Sequence, residues 1–184
     1  MTRINEALEG RSVVLIGLMG AGKTAVGRRL AGRLDLAFTD ADNEIEAAAG
    51  CSIPDIFALY GEAAFRDGER KVITRLMSEG PRVLATGGGA YMDPETRAAI
   101  ADKGIAVWLR ADVDLLARRT AGKRHRPLLE VEDPRARLES LMAERYPVYG
   151  RADVIVDARD EPVERTVDRV LDELARHLGV EGDS

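Results

Sequence analysis

The stretch Gly17-Leu18-Met19-Gly20-Ala21-Gly22-Lys23-Thr24 constrains this chain more than any other feature. It fits the pattern G-x-x-x-x-G-K-[ST] in full. Ahead of it runs Ser12-Val13-Val14-Leu15-Ile16, nearly continuous and rich in β-branched residues, as expected of a strand buried on both faces. Behind it, Lys23 to Leu34 carries Val26, Leu30 and Leu34 along one helical face. A glycine-rich turn between a buried strand and a helix converges backbone N–H groups at the helix N-terminus, where anions are favoured. Lys23 can reach the outer phosphates of a nucleotide, and the Thr24 hydroxyl can ligate Mg²⁺. Gly20, Ala21, Gly22, Lys23, Thr24 and Ala25 are therefore the expected nucleotide-binding set.

The rest of the chain repeats the alternation of strand and helix. Strand-like segments recur at Ala37-Phe38-Thr39, Arg82-Val83-Leu84-Ala85, Ile105-Ala106-Val107-Trp108-Leu109 and Val154-Ile155-Val156, with a final helix expected over about 161–178. Five strands separated by helices predict an α/β fold, a three-layer α/β/α sandwich on a five-stranded parallel sheet. A single domain is expected over 1–184, with a packed core at about 12–178. The first ten residues and the tail after Leu178 are expected to be loosely held. The order of the strands is not readable from one sequence. Two stretches interrupt the alternation: two or three short helices over 42–78, and a polar, arginine-rich segment over 121–133. In parallel α/β folds such insertions gather near the carboxyl ends of the strands, where ligands bind.

Charge and composition narrow the function classes. The net charge is −5 with no basic tract, which argues against a nucleic-acid surface. No segment approaches the roughly 18 apolar residues of a membrane span. Cys51 is the only cysteine, so no intramolecular disulfide forms, and a reducing cytoplasm is the expected location. The N-K-x-D guanine motif usual in GTPases is absent, and the chain is too short for a motor or transporter ATPase. A small-molecule kinase is the class that remains, acting on small-molecule partners, with a monomer as the default state.

A second set of residues carries acceptor chemistry. Asp40 and Asp42 stand where the second strand is expected to run out, and residues two apart at a strand end point the same way. A kinase needs one carboxylate near its metal and another to orient the acceptor hydroxyl and take its proton. Helix capping explains two aspartates there equally well. Gly87-Gly88-Gly89 directly follows the third strand, either to admit a ligand close to the backbone or as a plain turn. Arg66 and Arg145 are suited to fork onto a carboxylate, although either fits a solvated helix face. Arg126, in Arg126-Pro127-Leu128-Leu129, belongs either to a lid that closes over nucleotide or to a solvated loop.

Taken in order, these motifs resemble the shikimate kinase family. The matching pieces are the phosphate loop, Asp40-Ala41-Asp42, Gly61-Glu62-Ala63-Ala64-Phe65-Arg66 with Glu69, and Thr86-Gly87-Gly88-Gly89. They continue through Arg119-Thr120, Arg126-Pro127-Leu128-Leu129 and Arg145-Tyr146-Pro147-Val148-Tyr149, so that the resemblance runs from about Ser12 to Leu178. It implies a sheet of the P-loop, nucleoside-monophosphate-kinase type, with a substrate-binding helical insertion over about 41–70 and a lid over about 121–133. The implied reaction moves the terminal phosphate of ATP to shikimate, giving shikimate 3-phosphate for aromatic amino-acid synthesis. The resemblance further implies that Asp42, Arg66, Gly87, Gly88, Gly89 and Arg145 hold shikimate. Asp40 would bind Mg²⁺ through water beside Thr24, Lys23 and Arg126 would stabilise the transferring phosphoryl group, and Arg119 with Pro162 would flank adenine. Gluconate kinases share the scaffold and the carboxylate-plus-hydroxyl chemistry, and a silent homologue would bind nucleotide without turnover. The retained Lys23, Asp42 and arginine pair speak against the second, and the Asp40/Asp42, Arg66 and triple-glycine set against the first.

Overall fold

A computed structural model describes residues 3–122, 129 and 131–180. The strands are β1 (Ser12–Ile16), β2 (Ala37–Asp40), β3 (Arg82–Ala85), β4 (Gly104–Arg110) and β5 (Val154–Asp157). They form one five-stranded sheet in the order β2-β3-β1-β4-β5, and every neighbouring pair is parallel. All five residues of β1 are buried, as a central strand covered on both faces must be. The predicted sheet is therefore present, with each strand within a residue of its expected limits.

The helices are α1 (Arg3–Leu8), α2 (Lys23–Leu34), α3 (Ala41–Ala49), α4 (Ile53–Ser78), α5 (Pro94–Lys103), α6 (Val113–Thr120), α7 (Pro134–Tyr149) and α8 (Val163–Leu178). In α2 the stripe Val26, Leu30 and Leu34 is buried as its spacing predicts. The last helix begins at Val163 rather than near 161, because Pro162 occupies its capping position in a non-helical conformation. The insertion over 42–78 consists of α3 and α4, and α4 breaks at Gly61, whose φ of 83° and ψ of 171° lie outside helical space. Two helices with one kink thus satisfy an expectation of two or three short ones.

The first ten residues depart from expectation. They include α1, whose Ile4 and Leu8 are each only 1% exposed and join the main core, and α1 packs against α8. Two apolar residues four positions apart were enough to tie down the N-terminal segment, a short-range signal that is easily overlooked in six residues.

Strand order sets the position of the site. β3 and β4 flank β1, so the turns that follow β1, β3 and β2 lie side by side at one edge of the sheet. Connections from β1 and β3 leave toward opposite sides there, which opens a crevice at the carboxyl ends of the strands. Thr86 ties its two walls together, its N–H and hydroxyl both donating to the Leu15 carbonyl, at 3.1 and 3.0 Å.

Candidate active site

The crevice is a cavity of about 1320 Å³ lined by the phosphate loop, Asp40, Asp42, Gly87, Gly88 and Arg119, among others. The turn after β1 opens α2 with Gly22 in the capping position at φ 99° and no side-chain cap, so no side chain occupies the first-turn N–H groups. Gly20 is also held at positive φ, 87°, and a methyl group there would come within 2.9 Å of the Thr120 methyl. Both glycines are needed for their backbone geometry. The Lys23 ammonium lies along the loop, donating to the carbonyls of Gly17 and Leu18 at 2.6 and 3.1 Å. Arg119, from α6, braces the loop's opposite side. Its guanidinium donates to the Gly20 and Ala21 carbonyls, both at 3.3 Å, and to the Arg159 carbonyl at 2.9 Å. Ala25 lines the cavity, as do Glu161 and Val163 on either side of Pro162.

Asp40 caps a helix and also reaches the phosphate loop. Its Oδ1 accepts from the Asp42 N–H at 3.0 Å and caps α3, while its Oδ2 accepts from the Thr24 hydroxyl at 3.0 Å. Asp42 is a correction to the sequence reading. It lies in the first turn of α3 and not at a strand end, because β2 runs into the helix without a loop. Both carboxylates still face the cavity, since the chain turns between them. Burial pushes the Asp42 carboxyl above the ordinary carboxylate range, and the neighbouring Asp40 adds to this while Lys23 opposes it. Among the described residues no cluster of three or more His, Cys, Asp or Glu could hold a metal. A hydroxyl and a carboxylate at hydrogen-bond distance beside a phosphate loop fit a magnesium ion that arrives with its nucleotide and keeps most of its waters.

Beyond Gly87 the two arginines pack against the turn, Arg145 at Gly88 and Arg66 at Gly89. None of the three glycines has a positive φ, so what they provide is room for neighbouring side chains. A Cβ on Gly89 would strike the Arg66 guanidinium, one on Gly88 would lie 2.9 Å from Arg145 Nη1, and one on Gly87 would lie 3.2 Å from Asp42 Oδ1. Arg145 is 5% exposed, and among the described residues its Nε and Nη1 have no hydrogen-bond partner. Arg66 donates from Nη1 to Glu69 Oε1 at 2.8 Å, with Glu62 at 3.6 Å on its outer side.

Glu69 was not among the expected site residues. It is 2% exposed, and its Oε2 has no partner among the described residues and lies toward Gly87, 3.1 Å from where a Cβ would stand. Burial raises its proton affinity, with Arg66 acting in the opposite direction. The signal was its position three residues after Arg66 on one helix, where side chains meet. Tyr149 was also missed as a contact of the site, and its hydroxyl donates to the Gly88 carbonyl. Arg126 lies outside the described residues, as does most of the segment 121–133.

A cavity lined by a phosphate loop and two aspartates, with Arg145 and Arg66 packed behind the glycines of its wall rather than lining it, can bind a nucleotide beside a small acidic alcohol. Comparison with known proteins agrees. A protein-family model for shikimate kinase matches residues 19–175. A shikimate kinase of Paramagnetospirillum magneticum is 59% identical over 172 residues, covering 94% of this chain and 88% of its own. One from Mesorhizobium japonicum is 52% identical over 174 residues, covering 95% and 86%. The solved shikimate kinase from Acinetobacter baumannii, in complex with shikimate, superposes with a TM-score of 0.86 at 39% identity, over 91% of this chain and 94% of that one. Since the match runs through nearly every element that builds the cavity, the chain belongs to the shikimate kinase family.

Proposed function

We propose that this protein transfers the terminal phosphoryl group of ATP to a hydroxyl of shikimate, yielding ADP and shikimate 3-phosphate for aromatic amino-acid synthesis. One observation carries the acceptor side: two arginines, one with buried donors that have no partner among the described residues, pack against the triple glycine whose first member faces the half-buried Asp42. An acceptor with one carboxylate and several hydroxyls fits this pairing, the arginines taking the carboxylate and Asp42 a hydroxyl.

On this reading the phosphate-loop N–H groups and Lys23 hold the nucleotide phosphates. Thr24 would ligate Mg²⁺ directly and Asp40 would reach it through water. When bound, the ion would offset charge on the outer phosphates. Asp42 accepts the proton of the acceptor hydroxyl as that oxygen bonds to the γ-phosphorus. The bond from phosphorus to the bridging β–γ oxygen breaks, and ADP leaves with the electron pair. A raised proton affinity suits Asp42 to this work, because a base with a very low pKa takes a proton poorly. Glu69 fixes the Arg66 fork and limits its net charge, so that the pair admits one carboxylate. Arg119 flanks the base, with Pro162 beyond it. Arg126 and the segment 121–133 would form the lid that excludes water during transfer, by resemblance to the family. The lone Cys51 thiol and these substrates fit a cytoplasmic setting.

Coupled ADP release with Mg-ATP and shikimate, gluconate, quinate or no acceptor tests the proposal. Turnover with shikimate alone is the expected result. Turnover with gluconate in its place would keep the kinase and reject the acceptor.

A further inference from the structure

Tyr149 ends α7 with its side chain fully buried, its ring edge-on to Trp108 at 5.7 Å and 63°. A buried phenol needs a partner, and any nearby carbonyl would meet that need. This hydroxyl instead finds its partner in the acceptor site, donating to the Gly88 carbonyl, with the positive Arg145 guanidinium close enough to act on it. The three groups are packed against one another, since a Cβ on Gly88 would lie 2.9 Å from Arg145 Nη1 and 3.7 Å from the Tyr149 oxygen. Among the described residues Arg145 Nε and Nη1 have no hydrogen-bond partner, so packing against Tyr149 and Gly88 constrains the fork while leaving those donors to a ligand.

We propose that Tyr149 is a positioning residue for the anionic group of the acceptor, its hydroxyl locking the Gly88 peptide and the Arg145 fork so that their donors converge before the acceptor arrives. Burial pushes the hydroxyl up to about 12, so it remains protonated, and a donor, through the neutral range. An unrestrained arginine would sample other rotamers and leave the peptide free to tilt, and this ordering would fall on the binding step. The inference rests on the acceptor site described above.

The test is a double-mutant cycle on the full chain with Mg-ATP saturating, comparing wild type, Tyr149→Phe, Arg145→Ala and the double variant. Phenylalanine preserves the ring contacts with Trp108 and removes only the hydroxyl. Tyr149→Phe is expected to raise the shikimate KM about 5- to 10-fold, the effect of one lost hydrogen bond, with kcat within about 2-fold. The KM for ATP and the melting temperature should stay near wild type. In the Arg145→Ala background the same change should cost clearly less than in wild type, because one of the two groups it acts through is gone.

A full multiplicative loss in that background would overturn the proposal. So would an unchanged shikimate KM in Tyr149→Phe, or equal damage to both substrates with a lower melting temperature, which is what a purely structural brace would give. If Arg145→Ala itself leaves the shikimate KM unchanged, the acceptor-site reading fails and the proposal with it. A raised KM in Arg145→Ala beside an unaffected Tyr149→Phe rejects Tyr149 alone.

Discussion

Asp42 combines two properties that usually conflict, partial burial and a need for charge. Its carboxyl binds a proton more tightly in the folded chain than in the unfolded one, chiefly through desolvation and then through Asp40. A group shifted in this direction contributes stability below its unfolded pKa, and loses that contribution as pH rises through its folded pKa. At neutral pH the charged side chain therefore works against folding. Asp42→Asn should melt higher than wild type near pH 7, with the gap closing toward about pH 4 in thermal scans across pH. The same variant should lower kcat by about 10²- to 10⁴-fold while nucleotide affinity, measured by calorimetry, holds. Near-normal turnover would reduce Asp42 to a first-turn residue of α3. The acid limb of wild-type turnover should accordingly lie above the ordinary carboxylate range. Arg145 is the counterpart on the acceptor side. Arg145→Ala should weaken shikimate binding by about 1.5–3 kcal/mol, the range for hydrogen bonds to a charged group, and an unchanged affinity would take it out of the site.

At the scale of elements, α4 and the turn after β3 are matched to each other. α4 carries Phe65, Arg66 and Glu69 beyond the break at Gly61, and the break redirects the helix so that Ile53 and Pro54 line the cavity from its other end. Its backbone geometry is essentially reserved to glycine. Gly61→Ala should cost about 1–3 kcal/mol in denaturant unfolding, the range for a strained backbone position, unless the helix straightens. Straightening would appear as a raised acceptor KM with stability preserved. The sequence predicted two or three short helices over 42–78, without placing the break, which the structure puts at Gly61. The triple glycine was legible as a site feature, but its reason was not. The sequence allowed close approach of a ligand or a plain turn, and the structure adds that the protein's own Arg66 and Arg145 forks pack against Gly89 and Gly88 while Gly87 and Gly88 line the cavity.

For the molecule as a whole, stability resides in one core that includes the N-terminal helix. Leu8 is 1% exposed and clusters with the residues of α2, α8 and the sheet. Leu8→Ala should destabilise the entire domain by about 2–5 kcal/mol, since removing a buried leucine leaves a cavity as well as losing its transfer energy. The kcat/KM of the remaining folded protein should be unchanged, because the residue is far from the cavity lining. A loss under about 0.5 kcal/mol would return the first residues to the loosely held class. The surface pairs Arg29–Glu164 and Arg33–Asp168, which link α2 to α8 at 2.8 and 3.1 Å, are about half exposed and should contribute little by comparison.

The sequence by itself determined the local facts. A β-branched run, a glycine loop and an amphipathic helix follow one another within 23 residues, from Ser12 to Leu34, and each is governed by neighbours close along the chain. The same holds for the existence of five strands and for the family resemblance of the motifs. What only the tertiary structure decided was juxtaposition. Whether β3 or another strand lies beside β1 depends on long-range pairing and packing that no local pattern encodes, and that choice places Gly88 beside the phosphate loop. It also decided that Glu69 is buried with an unpartnered oxygen, and that the Tyr149 hydroxyl reaches Gly88 across 61 residues of chain. A carboxylate or a phenol reads the same in a sequence whether it is solvated or buried. Only packing, by removing water and supplying neighbours, distinguishes a surface group from a working one.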